Sequence, residues 1–294
     1  MLRVSRITFA IPVMLLMVLG LAALPIIFNT GFEGGPIQVS WGDGFEAVKH
    51  YFAGIGNGET FRFYMGANQF SFWDRIGIHF WTSFLYVAAG ALIGTTIGIF
   101  AGIYFSLSKL GWLKSIVDLV GSLPDFVVVL LMQFIIVYIA KETGVVLFQV
   151  ATVTYDDPAY VLPLIAMIII PANYMIRSVT MQMKLTLTED YIGNAKARGL
   201  GKAYIIFFHA LPNVIPFIKG DLYKLMGIIL GNLFIVEYLF NNNGVTMLIF
   251  SNAFEQLYQY NLVVNGLLAF LVLYAIGYGL LRAYLYGLWK VFVR

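Results

Sequence analysis

The sequence has 294 residues, of which 60% are hydrophobic and only 11% charged, and its mean hydropathy is +0.84. A soluble domain carries about a quarter charged residues, so the composition excludes that class and points to a membrane protein. There is no cysteine, which rules out a disulfide framework and thiolate chemistry, and the small formal net charge of +3 gives no reason to expect a nucleic-acid partner.

Arg3 and Arg6 precede an apolar run over 7–28 that is long enough to cross a bilayer. The run is long for a signal-peptide core. Ala22-Ala23 offers a small-residue cleavage site, but the length favours an uncleaved first span over 1–28. Residues 29–78 are the one substantial polar interval, with Glu33, Asp43, Glu46 and Glu59 against Lys49 and Arg62. A short helix is expected over 45–52, inside a loop that packs on the spans and is too short for a confident separate domain.

The second span, about 80–107, carries Gly90, Gly94, Gly98 and Gly102 at four-residue intervals, a column that lets a neighbouring helix approach closely in lipid. After a basic loop at Lys109 and Lys114, a third span is expected over 119–140, with Pro124 and Asp125 near its start. A carboxylate at mid-span costs roughly 2.5–3.5 kcal/mol on insertion scales, so Asp125 is expected close to the interface, in a structural role before a pathway one. A second outer loop over 141–159 ends in the turn Asp156-Asp157-Pro158, and a fourth span over 160–176 is closed by Arg177.

Between that span and the fifth lies the stretch 188–216, TEDYIGNAKARGLGKAYIIFFHALPNVIP. Thr188 is the expected N-cap of a short helix, Glu189 and Asp190 suit its first turn, Lys196 and Arg198 its end, and Gly199 is its C-terminal stop. A second short helix over 202–211 is expected to end at Pro212. Ala195 and Gly199, four apart, leave a bare patch that reads as a docking element. The fifth span, 217–240, opens with Lys219, Asp221 and Lys224, of which Asp221 and Lys224 have pairing distance on a helix. It repeats the small-residue spacing at Gly227 and Gly231 and carries Glu237 towards its far end. Asn241 to Gly244 break the helix, 250–260 is expected along the outer interface, and the sixth span, 262–281, leads to Arg282 and a tail over 286–294.

Counting six spans puts all but four of the 18 basic residues on one side; the exceptions are Lys49, Arg62, Arg75 and Lys141. The positive-inside rule then makes both ends of the sequence and the 188–216 loop cytoplasmic, in a multi-pass protein of the plasma membrane. The expected fold class is an all-α membrane protein with six transmembrane helices.

DYIGNAKARGL followed by HALPNVIP resembles the cytoplasmic coupling loop of ABC-transporter permease subunits, in the oligopeptide, dipeptide and nickel branch. The positions that carry the likeness are Asp190, Tyr191, Ala195, Lys196, Ala197, Arg198, Gly199 and Leu200, then His209, Ala210, Leu211 and Asn213. Gly193 departs from the pattern, which has Glu or Arg there. Weaker likeness runs from about 72 to 281 and includes DRIG, SLPDF and VEYLFNNNGV. The resemblance implies a type I importer permease core over 79–285 whose coupling residues are Glu189, Asp190, Tyr191 and 195–200. It also implies partners: a second, usually different, permease subunit, two cytoplasmic ATPases and an extracytoplasmic solute-binding protein. This chain would bind no cofactor of its own, ATP-Mg being held by the partners. Oligopeptides or dipeptides are the default solutes of that branch.

The chain itself has no GxxxxGK[ST] phosphate loop, no HExxH or Cys/His cluster for a metal, and no GxSxG nucleophile elbow. It is expected to be a transport subunit and no enzyme. A secondary transporter energised by an ion gradient is the alternative, for which Asp125 and Glu237 would be the pathway carboxylates, but no repeat or midplane charge cluster supports it.

Overall fold

The computed structural model describes residues 2–29, 37–108, 111–154, 158–254 and 257–292, with side chains from Ile11 onward. Glu33, Lys109, the Asp156-Asp157 pair, Arg294 and the side chains of Arg3 and Arg6 lie outside the described residues. The chain divides into two units, one formed by residues up to Trp81 with Asn243–Val272, the other by Thr82–Asn242 with the residues from Leu273 on.

In the first unit, helix α1 (Leu2–Ile27) and helix α2 (Trp41–Ala53) pack together, joined through the short strand pair β1 (Phe28–Asn29) and β2 (Gln38–Val39). The polar interval expected to lie as a loop therefore has its own structure. It continues into a hairpin, β3 (Arg62–Met65) with β4 (Asn68–Ser71), whose register pairs Phe63 with Phe70. Gly66, at φ +59, supplies the left-handed turn residue. Val18, Leu19, Ala22, Ala23 and Ile27 of α1 close over Tyr51, Tyr260 and Val264. Burying Tyr51 requires a partner for its hydroxyl, which donates to Asn265 Oδ1 (2.8 Å). Asn265 Nδ2 donates to the Thr60 carbonyl (2.8 Å) and Thr60 Oγ1 to the Tyr51 carbonyl (2.6 Å), which closes a ring of three polar residues. Burial raises the Tyr51 phenol above its ordinary pKa. Helix α10 (Val245–Asn252) follows the Asn241 break, where φ is +51. The expected interfacial stretch is divided in its roles. Phe254 and Leu257 are exposed, whereas the Tyr258 and Tyr260 hydroxyls donate to the Ala22 and Leu19 carbonyls of α1.

Among the described residues, six helices are long and apolar enough to cross a membrane: α3 (Phe72–Leu107), α5 (Asp125–Thr143), α6 (Val161–Leu187), α8 (Lys202–Gly220), α9 (Leu222–Leu239) and α11 (Tyr260–Phe292). The second unit holds α5, α6, α8 and α9 whole, with Thr82–Leu107 of α3 and the residues of α11 from Leu273 on. Between α3 and α5 runs the shorter α4 (Gly111–Ser122), and between α6 and α8 runs α7 (Asp190–Ala197). The third span thus starts later than expected. Pro124, extended at ψ 142, ends α4 and starts α5 at Asp125, because a proline cannot continue the ladder from α4.

The expected stop at Pro212 is corrected. Helix α8 runs through it, since Ile205–Ala210 adopt the wider π spacing and Pro212 falls in the first turn of the α segment that follows, where a missing N–H costs least. At Asp221 (φ −83, ψ −4) the ladder passes on into α9, with Asp221 N bonded to Phe217 O and Leu225 N to Asp221 O. The fifth span is therefore the latter part of a longer bent rod.

The most extensive helix contact joins α3 to α6. It is the glycine column that permits it. A Cβ built on Gly90 would meet the Met167 carbonyl at 2.6 Å, on Gly94 the Pro171 ring at 3.1 Å, on Gly98 Met175 Cβ, and on Gly102 Val179 Cβ at 2.7 Å. Two four-residue periodicities, Gly90/94/98/102 and Met167/Pro171/Met175/Val179, face each other, and dispersion between backbones replaces the hydrophobic effect that lipid does not supply. Gly277 on α11 plays the same part against Met226 and Val87.

Candidate functional site

Helix α7 follows α6 after two residues, and the connection is hydrogen-bonded throughout. Thr188 N reaches Leu185 O (3.1 Å) and Glu189 N reaches Thr186 O (3.2 Å). Thr188 is not the N-cap. Its Oγ1 donates back to Leu185 O (2.7 Å) to finish α6, and Glu189, extended at ψ 146, occupies the cap position with no side-chain bond. Asp190 in the first turn and Lys196 in the last complement the helix dipole. At the C-terminus Gly199 has φ +75, Gly199 N bonds Lys196 O (3.0 Å) and Leu200 N bonds Ala195 O (3.3 Å). This is a Schellman closure, and it needs a residue without a Cβ at Gly199.

Ile192 (0% exposed) and Ala195 (5%) form the inner face of α7, which packs on the π turn of α8. Ala195 and Gly199 therefore do not share an outward patch: Ile192 and Ala195, three positions apart, lie on one face, and that face is used within the chain. Glu189, Asp190, Tyr191, Gly193, Asn194, Lys196, Ala197, Arg198 and Gly199 are exposed, with Leu200 at the edge. Tyr191 lies beside the Asn213 side chain. Its phenol is raised above the ordinary value by partial burial and then by Glu189, with Asn213 opposing.

Beside the end of the bundle that carries α7, a cleft of about 790 Å³ opens between α4, α6 and the start of α9, lined by Lys114, Asp118, Tyr174, Arg177, Lys184, Asp221 and Lys224 among others. The expected Asp221–Lys224 pair does not form. Asp221 sits at the bend between α8 and α9 and turns to α6, where its Oδ2 accepts from Ser178 Oγ (3.0 Å) and the Tyr174 hydroxyl (3.2 Å), while Lys224 Nζ lies 5.0 Å over the Tyr174 ring. Lys219 is directed to the Tyr286 and Trp289 rings of α11. Arg177 contacts Asp118 at 3.7 Å and donates to the Gly121 carbonyl at 3.2 Å. A side cavity of about 140 Å³ shares Tyr174 and Arg177 with the cleft and is also lined by Asp125 and Asn173.

Asp125 and Glu237 are not brought together. Glu237 is fully buried and accepts from Ser83 Oγ on α3. Near it Tyr86 donates to the Ala159 carbonyl (3.3 Å), Asn242 Nδ2 reaches the Tyr86 hydroxyl (3.1 Å), and Thr152 Oγ1 donates to Asn242 Oδ1 (2.7 Å). These bonds tie Thr152 and Ala159 to the end of α9, so Glu237 belongs to a buried polar staple and lines neither cavity. Gly227 and Gly231 have no atom within 4 Å of a built Cβ and face outward. The residues that sequence reasoning passed over are Asn173, Tyr174 and Ser178. The visible signal was a cluster of polar side chains inside an apolar run, ANYMIRS.

The fold defines the class. The chain aligns with the inward-facing MetNI methionine ABC transporter at a TM-score of 0.53 and 15% identity, over 76% of this chain and 98% of that chain, a likeness of fold. The architecture is that of a type I ABC-importer permease.

The family follows from sequence. The chain belongs to the family described as binding-protein-dependent transport system inner membrane component, whose model matches residues 94–289. The dipeptide transport system permease protein DppB of Bacillus subtilis (strain 168) is 30% identical over 179 residues, 58% of this chain and 55% of that protein. A putative peptide permease protein of Brucella suis biovar 1 (strain 1330) is 27% identical over 190 residues, 62% and 58% respectively. The nickel import system permease protein NikB of Staphylococcus aureus (strain USA300) is 25% identical over 194 residues, 64% and 54%. This chain spans little more than half the length of these relatives. It is a multi-pass membrane protein of that inner-membrane transport family.

Proposed function

We propose that the chain forms half of the translocation pathway of an ATP-driven importer for small peptides and receives force from a separate ATPase through α7. One observation carries this reading. The exposed face of α7 is continuous by backbone hydrogen bonds with α6, which is itself locked to α3 along the glycine seam. A displacement of α7 therefore moves a membrane-spanning pair as a rigid lever, which is what coupling between two states requires. Glu189, Asp190, Tyr191, Lys196, Ala197, Arg198, Gly199 and Leu200 form the docking surface, and Ala195 fixes its seat. A second permease subunit of different sequence completes the pathway, two cytoplasmic ATPases hold ATP-Mg, and an extracytoplasmic binding protein delivers the solute. The 188–216 loop and both ends of the sequence face the cytoplasm, as the basic residues favour. The peptide assignment is supported by the names of the two peptide permeases above.

The test is uptake against ATP hydrolysis in the reconstituted complex. Arg198→Glu, on the exposed face, leaves insertion intact and lowers the solute carried per ATP hydrolysed. An unchanged ratio, with Asp190→Lys also silent, would remove α7 as the docking element.

A further inference from the structure

The charges in the cleft and its side cavity are unevenly compensated. Lys114, Arg177, Lys184 and Lys224 line the cleft against two carboxylates, Asp118 and Asp221. Among the described residues only Arg177 of these four cations is ion-paired, and its 3.7 Å contact with Asp118 exceeds hydrogen-bond length. A guanidinium has five N–H donors, and the Gly121 carbonyl occupies one. Gly121 also seats the group, because a Cβ there would stand 2.5 Å from Arg177 Nη1 and 2.6 Å from Asn173 Oδ1. In the shared side cavity, Asp125 is half-buried in the first turn of α5 and has no donor from the described residues. A guanidinium with spare donors and a carboxylate with none thus line one side cavity without pairing to each other.

We infer that Arg177 and Asp125 hold the two ends of a zwitterionic solute, Arg177 taking its carboxylate and Asp125 its ammonium. Lys184 and Lys224 add positive potential on the carboxylate side, and Tyr174 forms the wall common to both cavities. The combined space falls in the range of about 300–1,000 Å³ usual for small-molecule sites. The inference rests on the peptide reading above and deepens it: the permease itself, and not only a delivering protein, reads the free termini.

The experiment uses the reconstituted complex at saturating binding protein, with Ala-Ala-Ala, N-acetyl-Ala-Ala-Ala and Ala-Ala-Ala-amide as probes. Asp125→Asn should lower kcat/KM for the free tripeptide by about tenfold while leaving the acetylated one within twofold, and Asp125→Glu should restore it. Arg177→Gln and Gly121→Ala should lower kcat/KM for the free and the acetylated tripeptide, which keep a carboxylate, and leave the amide within twofold. Equal losses on all three peptides would overturn the inference in favour of a purely structural role. So would preferences that track the phosphatidylglycerol content of the vesicles, which would assign the cleft to lipid headgroups. Wild type carrying all three peptides equally overturns this inference alone, whereas wild type carrying none overturns the peptide reading and this inference with it.

Discussion

Helices α3 and α9 both carry glycines at four-residue spacing, and they use them in opposite ways. On α3 each of Gly90, Gly94, Gly98 and Gly102 meets a backbone or side-chain atom of α6 at 3.1 Å or less from a built Cβ. On α9 Gly227 and Gly231 meet nothing, although the opposite face of the same helix, from Leu222 through Met226, Ile229 and Leu233 to Glu237, is buried. The same motif is a closed seam in one place and an open face in the other. Small-residue spacing licenses close approach but does not say what approaches.

The seam should break most easily. Gly98→Leu forces a branched side chain into Met175, and overpacking on this scale costs about 3 kcal/mol or more, read as lost monodisperse protein after detergent extraction. Normal yield would mean that α3 and α6 can separate without cost. On the buried face of α9, Glu237→Ala removes the Ser83–Glu237 hydrogen bond and a buried side chain and should lower stability by about 2–3 kcal/mol. Thermal unfolding in detergent would measure it, with Glu237→Gln milder. Smaller again is Gly199→Ala, where a Cβ at φ +75 costs about 1–2 kcal/mol and frays the end of α7, seen as faster amide exchange at Gly199 and Leu200. Smallest is Gly227→Leu, which should change the stability of the isolated chain by no more than about 0.5 kcal/mol. A large loss there would show that the open face is covered within the chain and would erase the contrast with α3.

Much of the architecture was legible because it depends on local properties. Apolar length sets a span, glycine tolerates the left-handed turn at Gly199, and Asn241-Asn242-Asn243-Gly244 ends a helix wherever it occurs. The failures share a cause. For Pro212, Asp221 and Ala195 the sequence neighbours suggest one role, and the actual role comes from a residue farther along the chain or from a change in helical spacing. Asp221 is the clearest case. Its i,i+3 partner Lys224 was within reach, but Ser178 and Tyr174, more than 40 positions away, offer two hydroxyl donors in a less exposed setting.

The amino-acid order alone determined that the chain lives in a bilayer and that 188–216 resembles a coupling loop, since hydropathy, charge and short motifs are properties of contiguous residues. Only the tertiary structure decided which face of each helix is spent inside the chain. That choice turned Ala195 inward, closed one glycine column and left the other open, and set Arg177 and Asp125 around one cavity. Helical period fixes which residues share a face, but the rotation of that face is set by what packs against it, and the packing partners are distant in sequence.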